Sequence, residues 1–485
     1  MKAKTFLNHF VVIGSGTLIS MVIGLITTPI ITRLVSTEVY GQYAIFQMYA
    51  NIALMVLCLG LDQSLMRFYY DFNDIDYQRK LLKKCTILPI IITFIIGIIL
   101  ILSFITLGNT DQITINKIIL LIVCVIFQII NRMSLITLRL EFESKKYSMI
   151  NILHKIIFVG SVLILYYIFN QKDFYNMAIS MTMSYIIASI TGILIQRKLW
   201  HKNINKISIN YRKLLSYGMP YILAMGITTL FQAIDKISLN YYYDYSQVGI
   251  YSSAMTLVNI FAIIQTTFNS LWTPTAIKHF KEDKEDKIFY SNANKIITVV
   301  MFFIGITLIL FKNIFILLLG SAYREAVYIL PCLIFNPIMY TISETTVCGI
   351  VFKEKSKMQV IIAMGACITN IIGNIILVPN LGGRGAAIST GIAYIVFFTM
   401  RTIISKHYFN VHYNLCRFYI VTAIVLMYAL YNTFVEFNIL TILFYIIILA
   451  LLLWLYKDTI KQINNVIKNK LMSLNKVIAH KIKKR

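Results

Sequence analysis

The stretch TILPIIITFIIGIILILSFITL, residues 86–107, contains no charged side chain, and its few polar residues are isolated ones. An apolar run of about 20 residues is long enough to cross the hydrocarbon core of a bilayer as one α-helix. The rest of the chain has the same character, since 58% of its 485 residues are hydrophobic and 13% are charged. Soluble domains are roughly 45–50% apolar and 25% charged. The excess apolar surface must therefore face lipid.

Working outward from this stretch, similar runs recur along the whole chain and predict about fourteen transmembrane helices. Each of these runs contains about the 20 residues that one transmembrane helix needs. The predicted spans are 11–32, 42–64, 86–107, 118–138, 147–169, 175–195, 214–237, 248–273, 294–318, 326–350, 358–378, 385–405, 416–432 and 438–456.

The basic residues set an orientation for these spans. The net charge is +25, and the lysines and arginines fall mostly between the apolar runs. With a cytoplasmic N-terminus, 37 of the 45 basic residues lie on the cytoplasmic side, 7 lie on the outer side and Lys155 lies within a span, as the positive-inside rule requires. We therefore expect a multi-pass protein of the inner (plasma) membrane with both termini in the cytoplasm.

Several other classes of protein are disfavoured. The basic residues anchor loops to anionic headgroups and form no aromatic-interleaved patch, so no nucleic-acid partner is expected. The seven cysteines are scattered singly, which is typical of buried free thiols. No P-loop, HExxH or GxSxG in context is present. We therefore expect a protein that is not an enzyme and has no cofactor.

An offset of 208 residues aligns two similar segments. GQYAIFQMYANI (41–52) aligns with GIYSSAMTLVNI (249–260), with identities at Gly41/Gly249, Tyr43/Tyr251, Asn51/Asn259 and Ile52/Ile260. The offset spans six predicted helices, so the halves have the same orientation and form parallel repeats. The predicted domains are six-helix bundles at 1–200 and 201–410, two additional helices at 411–456, and a basic amphipathic cytoplasmic tail at 457–485.

Polar residues within the spans are the candidates for a binding site, because such groups are costly in lipid. Lys155 is a cation inside the fifth span, where an anionic headgroup could reach it, and Asn151 lies one turn before it. Asn51 and Asn259 lie on polar stripes of the second and eighth spans. For each lone Asn we favour interhelical hydrogen bonding over substrate binding. For Lys155 the two roles have equal weight.

Three carboxylates also lie within predicted spans. They are Asp62, Asp235 and Glu344, and Asp235 continues a stripe with Thr228 and Gln232. A charge inside a span needs a partner or water. These acids could therefore pair with the nearby cations or carry a coupling ion, either H⁺ or Na⁺.

Three stretches resemble the Wzx-type polysaccharide flippases of the multidrug/oligosaccharidyl-lipid/polysaccharide superfamily, which handle O-antigen or capsule repeat units. The stretches are VYGQYAIFQMYANIALMVLCLGLDQSLMRFYYD (39–71), SYGMPYILAMGITTLFQAIDKISLNYYYDYSQVGIYSSAM (216–255) and GGRGAAIST (382–390). The resemblance implies an all-α polytopic fold of two MATE-like, parallel-repeat six-helix bundles plus two C-terminal helices.

The resemblance also implies a function. The substrate would be an undecaprenyl-pyrophosphate-linked oligosaccharide, moved by alternating access within the lipid bilayer, with a polysaccharide polymerase and a chain-length regulator as possible partners. The related peptidoglycan-precursor flippases carry an arginine in the first helix, whereas the polar residues of this first span are uncharged. This departure argues against lipid II as the substrate. It leaves Lys155, together with Arg132, as the candidates for holding the pyrophosphate.

Three alternatives remain open. A drug/cation antiporter of the same fold is disfavoured by Lys155 and by the resemblance. A membrane glycosyl-polymerase or acyltransferase would need an active-site loop on the outer face, and the predicted outer loops are short and nearly free of charge. A non-transporting assembly subunit is compatible with the sequence.

Overall fold

The computed structural model of the chain describes residues 23–24, 26–72, 74–106, 112–201 and 209–461. The described residues form helices and connecting loops, without a β-strand among them. After a helical segment at residues 26–34, the helices are α1 (Thr37–Leu57), α2 (Leu61–Phe68), α3 (Ile75–Thr106), α4 (Gln112–Leu140), α5 (Ser144–Tyr167), α6 (Phe174–Ile195), α7 (Arg197–Trp200), α8 (Tyr211–Tyr242), α9 (Tyr245–Asn259), α10 (Ala262–Glu282), α11 (Lys287–Leu310), α12 (Lys312–Ile316), α13 (Ala326–Leu333), α14 (Phe335–Thr346), α15 (Cys348–Phe352), α16 (Ser356–Tyr408), α17 (Leu415–Phe434) and α18 (Ile439–Leu455).

The helices confirm the prediction of an all-α polytopic membrane protein. Within the described ranges, 9 helices are long and apolar enough to cross a membrane, and the number rises to 11 when two pairs of consecutive helices are each taken as one span. The long α16 contains the eleventh and twelfth predicted spans, separated by a break at Gly382. The predicted spans from the second to the fourteenth fall on helices, and the second, eighth, ninth and tenth each extend over two or three consecutive helices. The first span lies largely outside the described residues, as does most of the predicted amphipathic tail.

The chain packs into two compact units. The first unit contains Met1–Ile260, Leu318–Arg324 and Val378–Gly383, and the second contains Phe261–Leu317, Glu325–Leu377 and Arg384–Arg485. These units differ in their boundaries from the predicted domains, and the division into two six-helix bundles stays a prediction.

Within the first unit, the two repeated segments begin their helices in the same way. Ser36 caps α1 by accepting a hydrogen bond from the backbone nitrogen of Val39. Asp244 caps α9 by accepting one from the backbone nitrogen of Gln247. Both capping residues and both donors are related by the offset of 208 residues. A side-chain acceptor at this position satisfies a backbone N–H that has no partner inside the helix, so equivalent residues start equivalent helices.

A glycine turn separates α1 from α2 and directs a carboxylate into the first unit. Gly60 has φ of +65°, in the left-handed region that glycine adopts without strain. A Cβ on Gly60 would lie 2.1 Å from the carbonyl oxygen of Gly218 in α8, so a side chain cannot fit there. The axes of α1 and α2 consequently differ by 53°. The turn places Asp62 in the first turn of α2, where the helix dipole favours a negative charge.

Candidate functional site

A polar cavity of about 210 Å³ lies in the first unit. Its polar lining residues come from α1, α2, α4 and α8, and its apolar walls come from α1 and α8. The lining includes Asn51, Leu54, Met55, Asp62, Arg132, Ile222, Met225, Thr229 and Gln232. A concave site with a few convergent polar groups is the usual form of a ligand site in a helical bundle.

The charged residues of this cavity form an ion pair. Arg132 donates from Nε to Asp62 Oδ2 at 3.0 Å and from Nη2 to the same oxygen at 2.5 Å. The Asp62 side chain is 4% exposed, whereas that of Arg132 is 35% exposed. Gln63 donates a further hydrogen bond to Asp62 Oδ2. The carboxylate is therefore enclosed by donors, while the guanidinium is partly open.

The structure brings together only some of the residues predicted from sequence. Asn51, Asp62 and Arg132 line this cavity, whereas Asn151, Lys155 and Asn259 are not among its lining residues. The amide of Asn151 donates to the carbonyl oxygen of Tyr147, which is a hydrogen bond within α5 and not the interhelical one expected for a lone Asn. The binding roles of all these residues stay predictions.

Lys155 and Asn259 are both exposed. Lys155 lies in the middle of α5 and makes no hydrogen bond or ion pair with another described residue. Asn259 is the last residue of α9. Lys155 thus remains available to an anionic group, although at a different place from Arg132.

The second predicted carboxylate, Asp235, lies in α8. It is 2% exposed, and the hydroxyl of Tyr251 in α9 donates to Asp235 Oδ2 at 2.5 Å. This hydrogen bond links the helix that carries Asp235 to the repeated segment that begins at Gly249. A structural role for Asp235 is therefore visible, and its coupling role stays a prediction.

The third predicted carboxylate, Glu344, is paired in the second unit. Arg401 of α16 donates from Nη1 to Glu344 Oε1 and to Ser343 Oγ, both at 2.7 Å. The two charged side chains are 7% and 10% exposed. The indole nitrogen of Trp272 donates to the backbone oxygen of Glu344. Glu344 is thereby fixed by α10 and α16.

Three residues that the structure places at these sites are not among the site residues predicted from sequence. Thr229 and Gln232 line the first cavity, and of the two only Gln232 belongs to the polar stripe of the seventh span. Arg401 lies near the end of the predicted span 385–405. The rule that a carboxylate inside a span needs a cation was the signal that could have linked Arg401 to Glu344.

Comparison with known proteins identifies the family of the chain. Residues 6–278 match the family described as polysaccharide biosynthesis protein. The chain is 23% identical over 383 residues to an uncharacterised membrane protein of Methanocaldococcus jannaschii, which covers 73% of this chain and 74% of that protein.

Solved structures show which fold the chain shares. The lipid II flippase MurJ in an inward closed conformation matches with a TM-score of 0.66 and 16% identity, over 93% of this chain and 100% of that one. An inward-facing MATE family multidrug resistance transporter of the MOP superfamily matches with a TM-score of 0.56 and 12% identity, over 81% and 94%. Since the family match covers more than half of the sequence, this chain belongs to the polysaccharide biosynthesis protein family, and it has the same helical membrane fold as these two solved structures.

Proposed function

We propose that the chain is a flippase for undecaprenyl-pyrophosphate-linked oligosaccharide repeat units. It would move them from the cytoplasmic to the outer face of the plasma membrane for the synthesis of O-antigen or capsule. The family assignment to the polysaccharide biosynthesis proteins supports this proposal, as does the shared fold with the lipid II flippase MurJ. We also propose that the chain acts as a transporter and not as an enzyme.

The proposal rests on Arg132, whose side chain is only partly buried in the cavity of the first unit. Arg132 uses two of its nitrogens on one carboxylate oxygen, and a third of its side chain remains exposed. A guanidinium has five N–H donors in a planar fork that matches phosphate oxygens. A pyrophosphate that enters this cavity would find donors that Asp62 does not occupy. The neighbouring Asn51, Thr229 and Gln232 add amide and hydroxyl groups that suit sugar hydroxyls.

The ion pair also suggests how an ion could be coupled to transport. A proton or Na⁺ that binds Asp62 competes with Arg132 for the carboxylate, and a pyrophosphate competes with Asp62 for the guanidinium. Ion binding at Asp62 would therefore change the affinity of the cavity for the pyrophosphate. Glu344 is paired with a guanidinium in the same way, whereas an ion at Asp235 would compete with the hydrogen bond from the Tyr251 hydroxyl.

Lys155 would contribute a second positive charge for the lipid-linked anion. It is exposed on α5, and a solitary cation in a span gains most from an anionic partner. The protein as a whole is surrounded by bilayer lipids. Its proposed protein partners are a polysaccharide polymerase and a chain-length regulator, which would use the translocated product.

Deletion of the gene in its native host tests this function. The proposal predicts that lipid-linked repeat units accumulate on the cytoplasmic face and that surface polymer disappears. Wild-type protein should restore the polymer, whereas Arg132→Gln and Lys155→Ala should restore little of it. Unchanged polymer and intact lipid intermediates in the deletion strain would exclude the proposed function.

A further inference from the structure

Arg401 in the second unit has hydrogen-bonding capacity that the protein does not use. The residue is 6% exposed, and Nη1 makes the hydrogen bonds to both Ser343 and Glu344. Its Nε is buried and has no hydrogen-bond partner among the described residues. A buried donor on a charged group is costly to leave unpaired, so an unpaired Nε needs an explanation.

The edge of this guanidinium that makes no hydrogen bond with a described residue is formed by Nε and Nη2, and arginine commonly binds oxyanions through this edge. In the first unit, Arg132 spends Nε and Nη2 on Asp62. In the second unit, the carboxylate contacts only Nη1, and the edge formed by Nε and Nη2 makes no hydrogen bond to a described residue. Two parallel N–H groups on one edge are the arrangement that binds phosphate or carboxylate in a bidentate manner.

Two aromatic rings hold the guanidinium in place. The guanidinium carbon lies 5.4 Å from the ring centroids of both Tyr340 and Phe397. These rings are nearly parallel to each other, with centroids 5.6 Å apart. Because contacts with the ring faces favour a cation, the two rings hold the Arg401 guanidinium without using its remaining donors.

Arg401 lines a cavity of about 80 Å³ within the second unit. Its other lining residues include Trp272, Glu344 and Cys348, and the exposed Thr273 and Val351 lie at its edge. A single water needs roughly 10–15 Å³ by this measure, so the cavity has room for one group the size of a phosphate. The indole N–H of Trp272 is already used, which leaves Arg401 as the charged donor of the cavity.

We propose that Arg401 forms an anion site in the second unit that binds a phosphate group, supplied either by an anionic phospholipid headgroup or by free phosphate. Unpaired N–H donors of a guanidinium favour an anionic ligand. Two parallel N–H groups favour a tetrahedral oxyanion over a spherical anion. Glu344 accepts from Nη1 of Arg401, so its carboxylate does not occupy the edge formed by Nε and Nη2. The site does not depend on the proposed flippase function, because it requires binding and not translocation.

The full-length protein in nanodiscs provides the test, with the midpoint of thermal unfolding as the readout. One arm adds inorganic phosphate to nanodiscs of phosphatidylcholine. The other replaces part of the phosphatidylcholine with phosphatidylglycerol and contains no soluble phosphate. A ligand that binds only the folded protein raises this midpoint, so a rise in the first arm identifies free phosphate and a rise in the second identifies the lipid headgroup.

Two variants and one background make the readout specific. Glu344→Gln/Arg401→Gln removes both charges together, so neither is left buried without its partner. Thr273→Trp leaves the ion pair intact and fills the edge of the cavity. Both are introduced into the Asp62→Asn/Arg132→Gln background, which removes the ion pair of the first unit and with it the other guanidinium that could bind phosphate.

The proposal predicts that the rise is present in the Asp62→Asn/Arg132→Gln background and is lost when Glu344→Gln/Arg401→Gln or Thr273→Trp is added to it. It is overturned if this background shows no rise in either arm, or if the rise survives the addition of either second-unit change. If Glu344→Gln/Arg401→Gln does not fold, Thr273→Trp alone decides the question. A failure here leaves the deletion phenotype untouched, so it is distinguishable from a failure of the proposed flippase function.

Discussion

Gly41 of α1 and Gly249 of α9 lie directly against each other. A Cβ on Gly41 would lie 3.0 Å from the backbone nitrogen of Gly249 and 1.7 Å from the carbonyl oxygen of Tyr245. A Cβ on Gly249 would lie 2.0 Å from the carbonyl oxygen of Thr37. The two residues that the internal repeat makes equivalent thus contact each other, and the contact is nearly symmetric. Small residues allow this close approach of helix backbones in membranes.

The first prediction concerns this contact. Gly249→Leu should prevent α1 and α9 from packing, because the obstacle is backbone and cannot move aside like a side chain. We expect most of the protein to be lost as aggregate, measured as the monodisperse fraction in size-exclusion chromatography. Gly160→Leu is the matched control, since a Cβ there meets no atom within 4 Å. Equal yields of the two variants would contradict the role of the contact.

Residues that act through local rules could be predicted from the sequence. The apolar runs gave the helices, and the matched segments at 41–52 and 249–260 correctly indicated equivalent helices, because helix length and capping are encoded locally. The sequence predicts that Glu344 needs a cationic partner, but it does not identify Arg401 as that partner, since the two residues are far apart in sequence and several bases were equally plausible. The bend at Gly60 was also missed, because its cause is the approach of Gly218 in another helix.

The second prediction separates stability from transport at the cavity of the first unit. Arg132→Gln leaves the buried Asp62 without its partner, and breaking a buried pair in this way costs about 3–5 kcal/mol. Asp62→Asn should cost less, because Arg132 is partly exposed and can remain solvated. The thermal midpoints in detergent should therefore fall in the order wild type, Asp62→Asn, Arg132→Gln.

The double variant Asp62→Asn/Arg132→Gln completes this comparison. It should recover much of the thermal midpoint, because no unpaired charge remains, and it should still fail to restore surface polymer. Recovery of both properties would mean that the pair serves only structure.

The third prediction concerns Lys155. Lys155→Ala should reduce polymer export strongly while leaving the thermal midpoint nearly unchanged, because the side chain is exposed and makes no hydrogen bond or ion pair with a described residue. Lys155→Arg should retain export, since the positive charge is kept. Lys146→Ala is the control for a lysine outside the spans, where the ion pair with Glu143 is exposed and worth little. A normal export level in Lys155→Ala would exclude the lysine from substrate binding.

The fourth prediction concerns the loop between α10 and α11. Asp286 caps α11, and the backbone N–H of Phe289, with further help from His279, holds the pKa of the Asp286 carboxyl below its usual value. A carboxylate with a lowered pKa in the folded state stabilises the protein above its unfolded pKa of about 3.9. That contribution is lost as the pH falls through the folded-state pKa.

Two substitutions of Asp286 test this. Asp286→Asn keeps a capping side chain but cannot titrate, so its disadvantage in thermal midpoint relative to wild type should be present at pH 7 and shrink below about pH 4. Asp286→Ala removes the cap as well and should remain less stable at both pH values. Glu285→Gln changes the charge of the same loop without touching the cap. A disadvantage of Asp286→Asn that does not depend on pH would contradict the assignment.

Translocation by purified protein tests directly whether the chain is a flippase. The full-length chain is reconstituted into liposomes that contain a fluorescent undecaprenyl-pyrophosphate-linked oligosaccharide, and the fraction of substrate accessible to an externally added glycosidase is followed over time. Wild-type protein and Lys146→Ala should make nearly all of the substrate accessible. Asp62→Asn/Arg132→Gln and Lys155→Ala should leave the inner-leaflet half protected, as in protein-free liposomes. Protection that is the same with wild-type protein as without protein, or translocation that is equally fast in all variants, would contradict the proposal.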